Sequence, residues 1–129
     1  MKNKVLVDTS VWIEFFRSDS VAGNLLETLL SDNSVCTCGI VLFELLQGVK
    51  SDKEKTVVMN ALSGLPYKEM NVQLWQKSAE LSAALKREGL RLPLSDILIA
   101  AIALEHALSV FTLDRHFEQI PGVVIYKAS

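Results

Sequence analysis

The chain has 129 residues, of which half are hydrophobic and 22% are charged. This composition excludes intrinsic disorder, and the length is typical of one globular domain, so we predict a single domain over residues 1–129. The 13 basic and 15 acidic residues give a formal charge of −2. On its own this sign argues against a nucleic-acid partner, because proteins that bind nucleic acids usually carry excess positive charge.

Membrane and redox signals in the sequence are weak. No apolar run reaches the roughly 18 residues of a membrane-spanning helix, and the first residues do not form a signal peptide. Cys36 and Cys38 are two residues apart, which places both on one face of a strand, and two thiols do not complete a tetrahedral zinc site. We therefore expect two reduced, buried cysteines in a cytoplasmic protein that has no membrane segment.

Short apolar strands alternate with helical segments along the chain. The predicted strands are residues 5–7, 34–37, 67–70, 109–112 and 123–126. The predicted helices are residues 11–17, a segment capped by Ser20, residues 40–47 ending at Gly48, residues 52–62, residues 72–88 ending before Gly89, and residues 93–106, opened by Ser95-Asp96. This alternation predicts an α/β fold with a short, mostly parallel central sheet flanked by helices.

Four acidic residues stand where the pattern otherwise calls for apolar residues or turns. Asp8 ends the first strand and Asp114 follows the fourth, while Glu44 interrupts an apolar helix and Asp96 opens the most hydrophobic one. Because ligands of parallel sheets bind beyond the carboxyl ends of the strands, we expect these carboxylates to converge there. Converging carboxylates repel one another unless a cation neutralises them, and Mg²⁺ or Mn²⁺ prefers such oxygen ligands.

Each of these acids also has an ordinary structural interpretation. Asp8 and Asp96 stand where a carboxylate caps or stabilises the first turn of a helix. Glu44 shares a helical stripe with Gln47, which is typical of a solvated face, and Asp114 is compatible with a simple loop. The order and setting of all four, rather than any one of them, favour a metal site.

The four acids lie in segments that resemble the motifs of the PIN-domain nucleases, and among them the VapC-type toxins of toxin–antitoxin pairs. In chain order, the segments are Val7-Asp8-Thr9-Ser10-Val11-Trp12-Ile13, Glu44-Leu45-Leu46-Gln47-Gly48, Pro93-Leu94-Ser95-Asp96-Ile97-Leu98-Ile99-Ala100-Ala101 and Thr112-Leu113-Asp114-Arg115-His116-Phe117. Together they cover nearly the whole chain. The resemblance implies a three-layer PIN-like fold and an endoribonuclease that depends on Mg²⁺, with Mn²⁺ as the alternative ion.

The resemblance also assigns roles to residues and partners. Asp8, Asp96 and Asp114 match the metal-holding acids of the family, Glu44 matches its remaining acid, and Thr112 matches a hydroxyl position that lines the pocket. The implied partners are an RNA substrate, cleaved to leave a 5′-phosphate and a 3′-hydroxyl, and a small VapB-type antitoxin whose C-terminal segment crosses the pocket. A homodimer is implied as well, formed through exposed apolar residues of the early helices.

Net charge has a different meaning once the motif acids are set aside. Without those four residues the count is 13 basic and 11 acidic residues, a charge of +2. A divalent ion in the pocket would cover the four carboxylates and attract phosphate, so the acidic balance no longer argues against RNA.

Two other functions are compatible with parts of the sequence pattern. A PIN-like domain that no longer cleaves would only bind RNA or protein, although its four acids are all present. A Mg²⁺-dependent phosphatase or receiver-like domain shares the α/β layout, but Ser10 stands where an Asp-x-Asp motif needs its second acid.

His106 and His116 lie outside zinc motifs such as H-E-x-x-H, and we expect both at the surface or at helix ends.

Overall fold

The computed structural model describes residues 4–17 and 19–128. Its five strands form one sheet in the order β3-β2-β1-β4-β5, and every pairing is parallel. The strands are β1 Val5–Val7, β2 Val35–Cys38, β3 Tyr67–Lys68, β4 Ser109–Phe111 and β5 Val124–Ile125. β1 is the middle strand, so the residue that follows it lies between the ends of β2 and β4.

Helices cover the sheet and connect its strands. The described residues form six α-helices and one 3₁₀ helix: α1 Thr9–Arg17, α2 Val21–Ser31, α3 Gly39–Gln47, α4 Asp52–Leu62, α5 Val72–Arg87, α6 Leu94–His106 and the 3₁₀ helix Arg115–Gln119. The predicted α/β fold with a short parallel sheet is confirmed. None of the described helices is long and apolar enough to cross a membrane.

Local capping signals set several of the helix ends. Ser20 precedes α2, and its Oγ accepts a hydrogen bond from the amide of Gly23 at 2.9 Å. Asn71 precedes α5, and its Oδ1 accepts from the amide of Leu74 at 2.8 Å. Beyond α5, Gly89 adopts a positive φ of 84°, which glycine takes without steric cost. These ends agree with the sequence prediction to within about two residues, the usual uncertainty of helix boundaries.

The structure corrects the prediction in two places. α1 begins at Thr9 rather than at residue 11, so the helix starts directly after Asp8. The 3₁₀ helix after Asp114 was not predicted, and it begins where the Asp114 carboxylate accepts from the amide of His116 at 2.9 Å. Both differences concern residues beside the predicted site. α6 begins at Leu94, within one residue of the prediction, with Asp96 in its first turn.

The core lies between β1, α1 and α6. Leu6, Trp12, Ile99 and Phe117 have no solvent exposure. α6 is buried along most of its length, from Asp96 to Ala103, which explains why it is the most hydrophobic helix. Because α6 packs so deeply, its first turn brings Asp96 to the carboxyl end of the sheet. The two cysteines are buried free thiols, as predicted.

Candidate metal centre

Asp8 is fixed by the strand that precedes it and the helix that follows it. Its side chain is buried, with the residue 6% exposed. The amide of Asp8 donates to the carbonyl of Phe111 at 2.8 Å, which ties the end of β1 to the end of β4. The carbonyl of Asp8 accepts from the amide of Val11 at 3.1 Å and so begins α1. The backbone therefore holds this carboxylate at the centre of the sheet edge.

Two hydroxyl groups hold one oxygen of the Asp8 carboxylate. Ser10 Oγ donates to Asp8 Oδ2 at 2.9 Å, and Thr112 Oγ1 donates to the same oxygen at 2.8 Å. Each hydroxyl oxygen in turn accepts a backbone amide, from Leu113 at 3.1 Å and from Asp114 at 2.9 Å. Because those amides occupy the hydroxyl lone pairs, the hydroxyl protons point to Oδ2. Among the described contacts, Oδ1 is the oxygen that remains for a ligand.

Asp96, Asp114 and His116 form the second half of the site. His116 Nδ1 lies 2.8 Å from Asp96 Oδ2 and 3.1 Å from Asp114 Oδ1. One ligand atom from each of the three residues lies within 4.8 Å of the other two. Asp96 is buried, whereas Asp114 and His116 are half-buried. The first turn of α6 and the segment after β4 thus bring together three groups that are able to surround one small cation.

The electrostatics of this half favour a bound cation. Burial raises the pKa of Asp96, and the charges of Asp114 and Asp8 add to the rise, although the hydrogen bond from His116 opposes it. The pKa of His116 is raised chiefly by its hydrogen bond to Asp96, and the charge of Asp114 contributes. In residues 4–17 and 19–128, His116 is the one basic group within 4 Å of these acids. The carboxylates therefore present more negative charge than the protein neutralises.

Glu44 reaches the same edge of the sheet through α1. Thr9 Oγ1 donates to Glu44 Oε1 at 2.7 Å, and Thr9 is both the neighbour of Asp8 and the first residue of α1. The structure thus places Glu44 beside the Asp8 half of the site, while His116 links Asp96 to Asp114 in the other half. Of the predicted residues, Thr112 is the one that contacts Asp8 directly, through the hydroxyl described above.

The donor set fits a hard divalent cation. Two carboxylates and an imidazole lie together, the Asp8 carboxylate is close enough for its charge to act on Asp96, and carboxylate oxygens are the ligands that Mg²⁺ and Mn²⁺ prefer. Cys38 lies close enough for the charges of Asp8 and Glu44 to act on it, but burial raises the pKa of its thiol. A protonated thiol is a poor metal ligand, so the chemistry of this edge is that of oxygen and nitrogen donors.

Sequence reasoning missed two residues of the site. The expected position of His116 at the surface or a helix end agrees with its half-exposed side chain at the start of the 3₁₀ helix, but the contact of its ring with two acids was not predicted. Ser10 was noted only within the first motif and as the residue that does not fit an Asp-x-Asp phosphatase, yet its hydroxyl orients Asp8. Ser10 stands two positions after Asp8, and His116 stands two positions after Asp114. This spacing is the sequence feature from which both contacts could have been predicted. His106, at the end of α6, is exposed as expected.

Two surface depressions open beside Glu44, which borders both. The first, here called the α1–α4 groove, has a volume of about 590 Å³ and is lined by Ile13, Phe16, Val57, Arg17 and Lys53, among others. The second, here called the aromatic patch, has a volume of about 770 Å³ and includes the exposed side chains of Phe43, Tyr67, Trp75 and Leu94. Large exposed apolar surfaces of this kind mark contacts with other molecules.

Known proteins resemble this chain over nearly its whole length. The PIN domain model matches residues 5–123. Ribonuclease VapC11 of Mycobacterium tuberculosis is 28% identical, with 97% of each chain covered. The crystal structure of DNA-bound VapBC from Salmonella typhimurium contains a chain with a TM-score of 0.84 and 28% identity, covering 96% of this chain and 97% of its own. A chain of a toxin–antitoxin complex from Klebsiella pneumoniae is 30% identical with a TM-score of 0.73, covering 97% of this chain and all of its own. This chain belongs to the PIN domain family.

Proposed function

We propose that the protein is a Mg²⁺-dependent endoribonuclease and the toxin of a toxin–antitoxin pair. The observation that carries the proposal is the cluster of Asp96, Asp114 and His116 at the carboxyl edge of the sheet, connected through Thr112 to Asp8, one oxygen of which is held by two hydroxyls. The similarity to proteins named VapC ribonuclease supports the choice of RNA as substrate.

Each residue of the site has a role in this proposal. Asp8, Asp96 and Asp114 hold the metal, and Thr112 with Ser10 turns Asp8 toward it. Glu44, held by Thr9 through one oxygen, accepts a hydrogen bond from the attacking water with the other. A bound Mg²⁺ lowers the pKa of water and neutralises charge on the phosphoryl oxygens. The protein's own contribution is to fix these groups in position before RNA arrives.

Cleavage of RNA by the purified chain tests the proposal. We expect cleavage in Mg²⁺ that EDTA abolishes, giving products with 5′-phosphate ends. Asp96→Asn should lose cleavage while its circular dichroism spectrum stays that of the wild type. Glu80→Gln is the matched control, since Glu80 is an exposed acid of α5.

Three outcomes would contradict the proposal. Cleavage that survives both Asp96→Asn and EDTA would exclude metal-dependent hydrolysis at this site. RNA binding without cleavage in any divalent metal would favour a non-cleaving domain. Hydrolysis of p-nitrophenyl phosphate in the absence of RNA cleavage would favour the phosphatase alternative.

We propose that the α1–α4 groove receives the antitoxin. The groove offers a partner segment an apolar surface formed by Ile13, Phe16 and Val57. Glu44 lines the same groove at the end nearest the acidic cluster. A basic side chain of that segment would pair with the carboxylates, which the protein leaves incompletely neutralised. Relatives solved as VapBC complexes support such a partner.

The product of the reading frame next to the toxin's own is the candidate antitoxin for a direct test. Ile13→Asp should abolish its co-purification with the toxin and leave RNA cleavage intact, because Ile13 is 41% exposed in the groove and lies outside the acid cluster. Unchanged co-purification of the Ile13→Asp variant would place the antitoxin elsewhere.

We also propose a homodimer, formed through the aromatic patch rather than through the early helices. α1 and α2 expose Ile13 and Val21, but Phe43, Trp75 and Leu94 are 66%, 51% and 69% exposed around one depression. Light scattering should give the mass of two chains for the wild type and of one chain for Trp75→Glu. If the Trp75→Glu variant remains dimeric, the dimer interface lies on another face of the protein.

A further inference from the structure

We propose that His116 is itself a ligand of the metal, through Nδ1, and that the site therefore prefers Mn²⁺ to Mg²⁺. The inference rests on the metal-dependent function proposed above and concerns which of the two ions that support it, Mg²⁺ or Mn²⁺, the site binds more tightly. It concerns a residue outside the four acids that the sequence pattern singles out.

The spacing of the donor atoms carries the inference. Adjacent ligands of an octahedral ion with bonds of 2.0–2.1 Å lie about 3 Å apart. His116 Nδ1 stands 2.8 Å from Asp96 Oδ2 and 3.1 Å from Asp114 Oδ1, which are separations of this size. A metal would take the place of the Nδ1 proton in the hydrogen bond to Asp96, and that proton would leave to solvent. The nitrogen would then be a neighbouring ligand beside each carboxylate oxygen.

The fold holds the backbone of His116 in place. Its amide donates to Asp114 Oδ1 at 2.9 Å, and the next residue, Phe117, is fully buried. The 3₁₀ helix is therefore anchored on both sides of the histidine. The imidazole, whose side chain is 43% exposed, lies at the open face of the cluster, where bound water completes a coordination shell.

Ligand chemistry gives the expected preference. Carboxylate oxygens bind Mg²⁺ and Mn²⁺ alike, whereas an imidazole nitrogen favours transition metals. The competing explanation is that the His116 ring is only a positive counter-charge that leaves when a metal enters. The two explanations differ in one observable, which is a bond between the metal and nitrogen.

Pulsed electron paramagnetic resonance of Mn²⁺ bound to the full chain tests this bond. The chain has two histidines, so after labelling with ¹⁵N-histidine any ¹⁵N coupling to Mn²⁺ must come from His106 or His116. We expect ¹⁵N coupling of a directly bound imidazole in the wild type. The coupling should persist in His106→Ala, the matched control at the exposed end of α6, and disappear in His116→Ala.

Calorimetric titration gives a second, independent readout. We expect His116→Ala to weaken Mn²⁺ binding by more than about tenfold, since the loss of even an outer group around a metal costs about 10–100-fold. Mg²⁺ affinity should stay within about twofold, because the oxygen ligands remain. Equal losses for the two ions would overturn the preference.

The wild-type spectrum keeps the proposal falsifiable even if His116→Ala fails to fold. A wild-type protein that cleaves RNA with bound Mn²⁺ but shows no ¹⁵N coupling overturns the inference and leaves the proposed function standing. A wild-type protein that binds neither Mn²⁺ nor Mg²⁺ overturns both.

Discussion

The carboxyl ends of β1 and β2 lie side by side, yet they differ in chemistry. β1 leads into Asp8, whose carboxylate is buried but accepts two hydroxyl groups. β2 ends at Cys38, which is equally buried. Burial raises the pKa of the Cys38 thiol, and the nearby backbone amides of Ile40 and Val41 oppose this rise without outweighing it.

The difference shows that burial alone does not make a side chain a metal ligand. A buried group stays ionised only where donors or cations surround it, and otherwise burial favours its neutral form. At β1 the hydroxyls of Ser10 and Thr112 donate to the carboxylate, and a cation would complete its shell. At β2 burial favours the protonated thiol by raising its pKa. Four predictions test this comparison, from the largest expected effect to the smallest.

The largest effect is expected from Asp8→Asn. Loss of a carboxylate proposed to hold the metal should lower kcat/KM for RNA cleavage by more than about a hundredfold, beyond what the loss of an outer group costs. Cys38→Ala at the neighbouring strand end is the matched control and should keep most of the activity. Equal losses in the two variants would show that packing at the sheet edge, rather than the carboxylate, supports cleavage.

Ser10→Ala and Thr112→Val should each lower kcat/KM by about 10–100-fold, because each removes a hydroxyl that orients Asp8. Both donate to the same oxygen, so the double variant should lose less than the product of the two single losses. The measurement is a double-mutant cycle on cleavage rate. Multiplicative losses would mean that the two hydroxyls act independently of each other.

Cys36, on the same strand as Cys38, gives a pH-dependent effect on stability. Burial raises the pKa of its thiol from 9.0 to about 11. The folded state thus binds this proton more tightly than the unfolded state, and its contribution to stability is full below pH 9 and is lost between pH 9 and 11. The expected loss is at most about 1.4 kcal/mol per pH unit.

Cys36→Ser isolates this contribution, since a serine hydroxyl also donates to the carbonyl of Val5 but does not titrate in this range. Urea unfolding of both proteins at pH 8, 9, 10 and 11 gives the comparison. Parallel curves for wild type and variant would show that the thiol ionises equally in the folded and unfolded chain.

The smallest effect is expected on the stability of the metal-free protein. Because burial disfavours the charged form of Asp96, Asp96→Asn should raise the free energy of unfolding in EDTA, by less than about 1 kcal/mol. Added Mn²⁺ should stabilise the wild type and leave the variant almost unchanged. A metal-free variant less stable than the wild type would mean that the contact with His116 outweighs the cost of burying the charge.

The sequence was sufficient for features that depend on neighbouring residues. Apolar runs predicted the strands, and polar residues such as Ser20 predicted where helices begin. It was not sufficient for contacts that only folding creates. Thr112 and Ser10 meet on Asp8 across more than 100 residues of chain, and the ring of His116 turns inward because Asp96 arrives from another helix. Residue type and local sequence pattern do not show which way such side chains point in the folded protein.

The separation of the site residues along the chain has a consequence for synthesis. Asp8 is made more than 100 residues before β4 and the groups at positions 112–116. β1 pairs with β4 in the finished sheet, so the candidate site does not form in any nascent chain that lacks β4. A cell making this protein therefore meets the complete site only after these later residues have been made, and a partner synthesised meanwhile has time to be present at that moment.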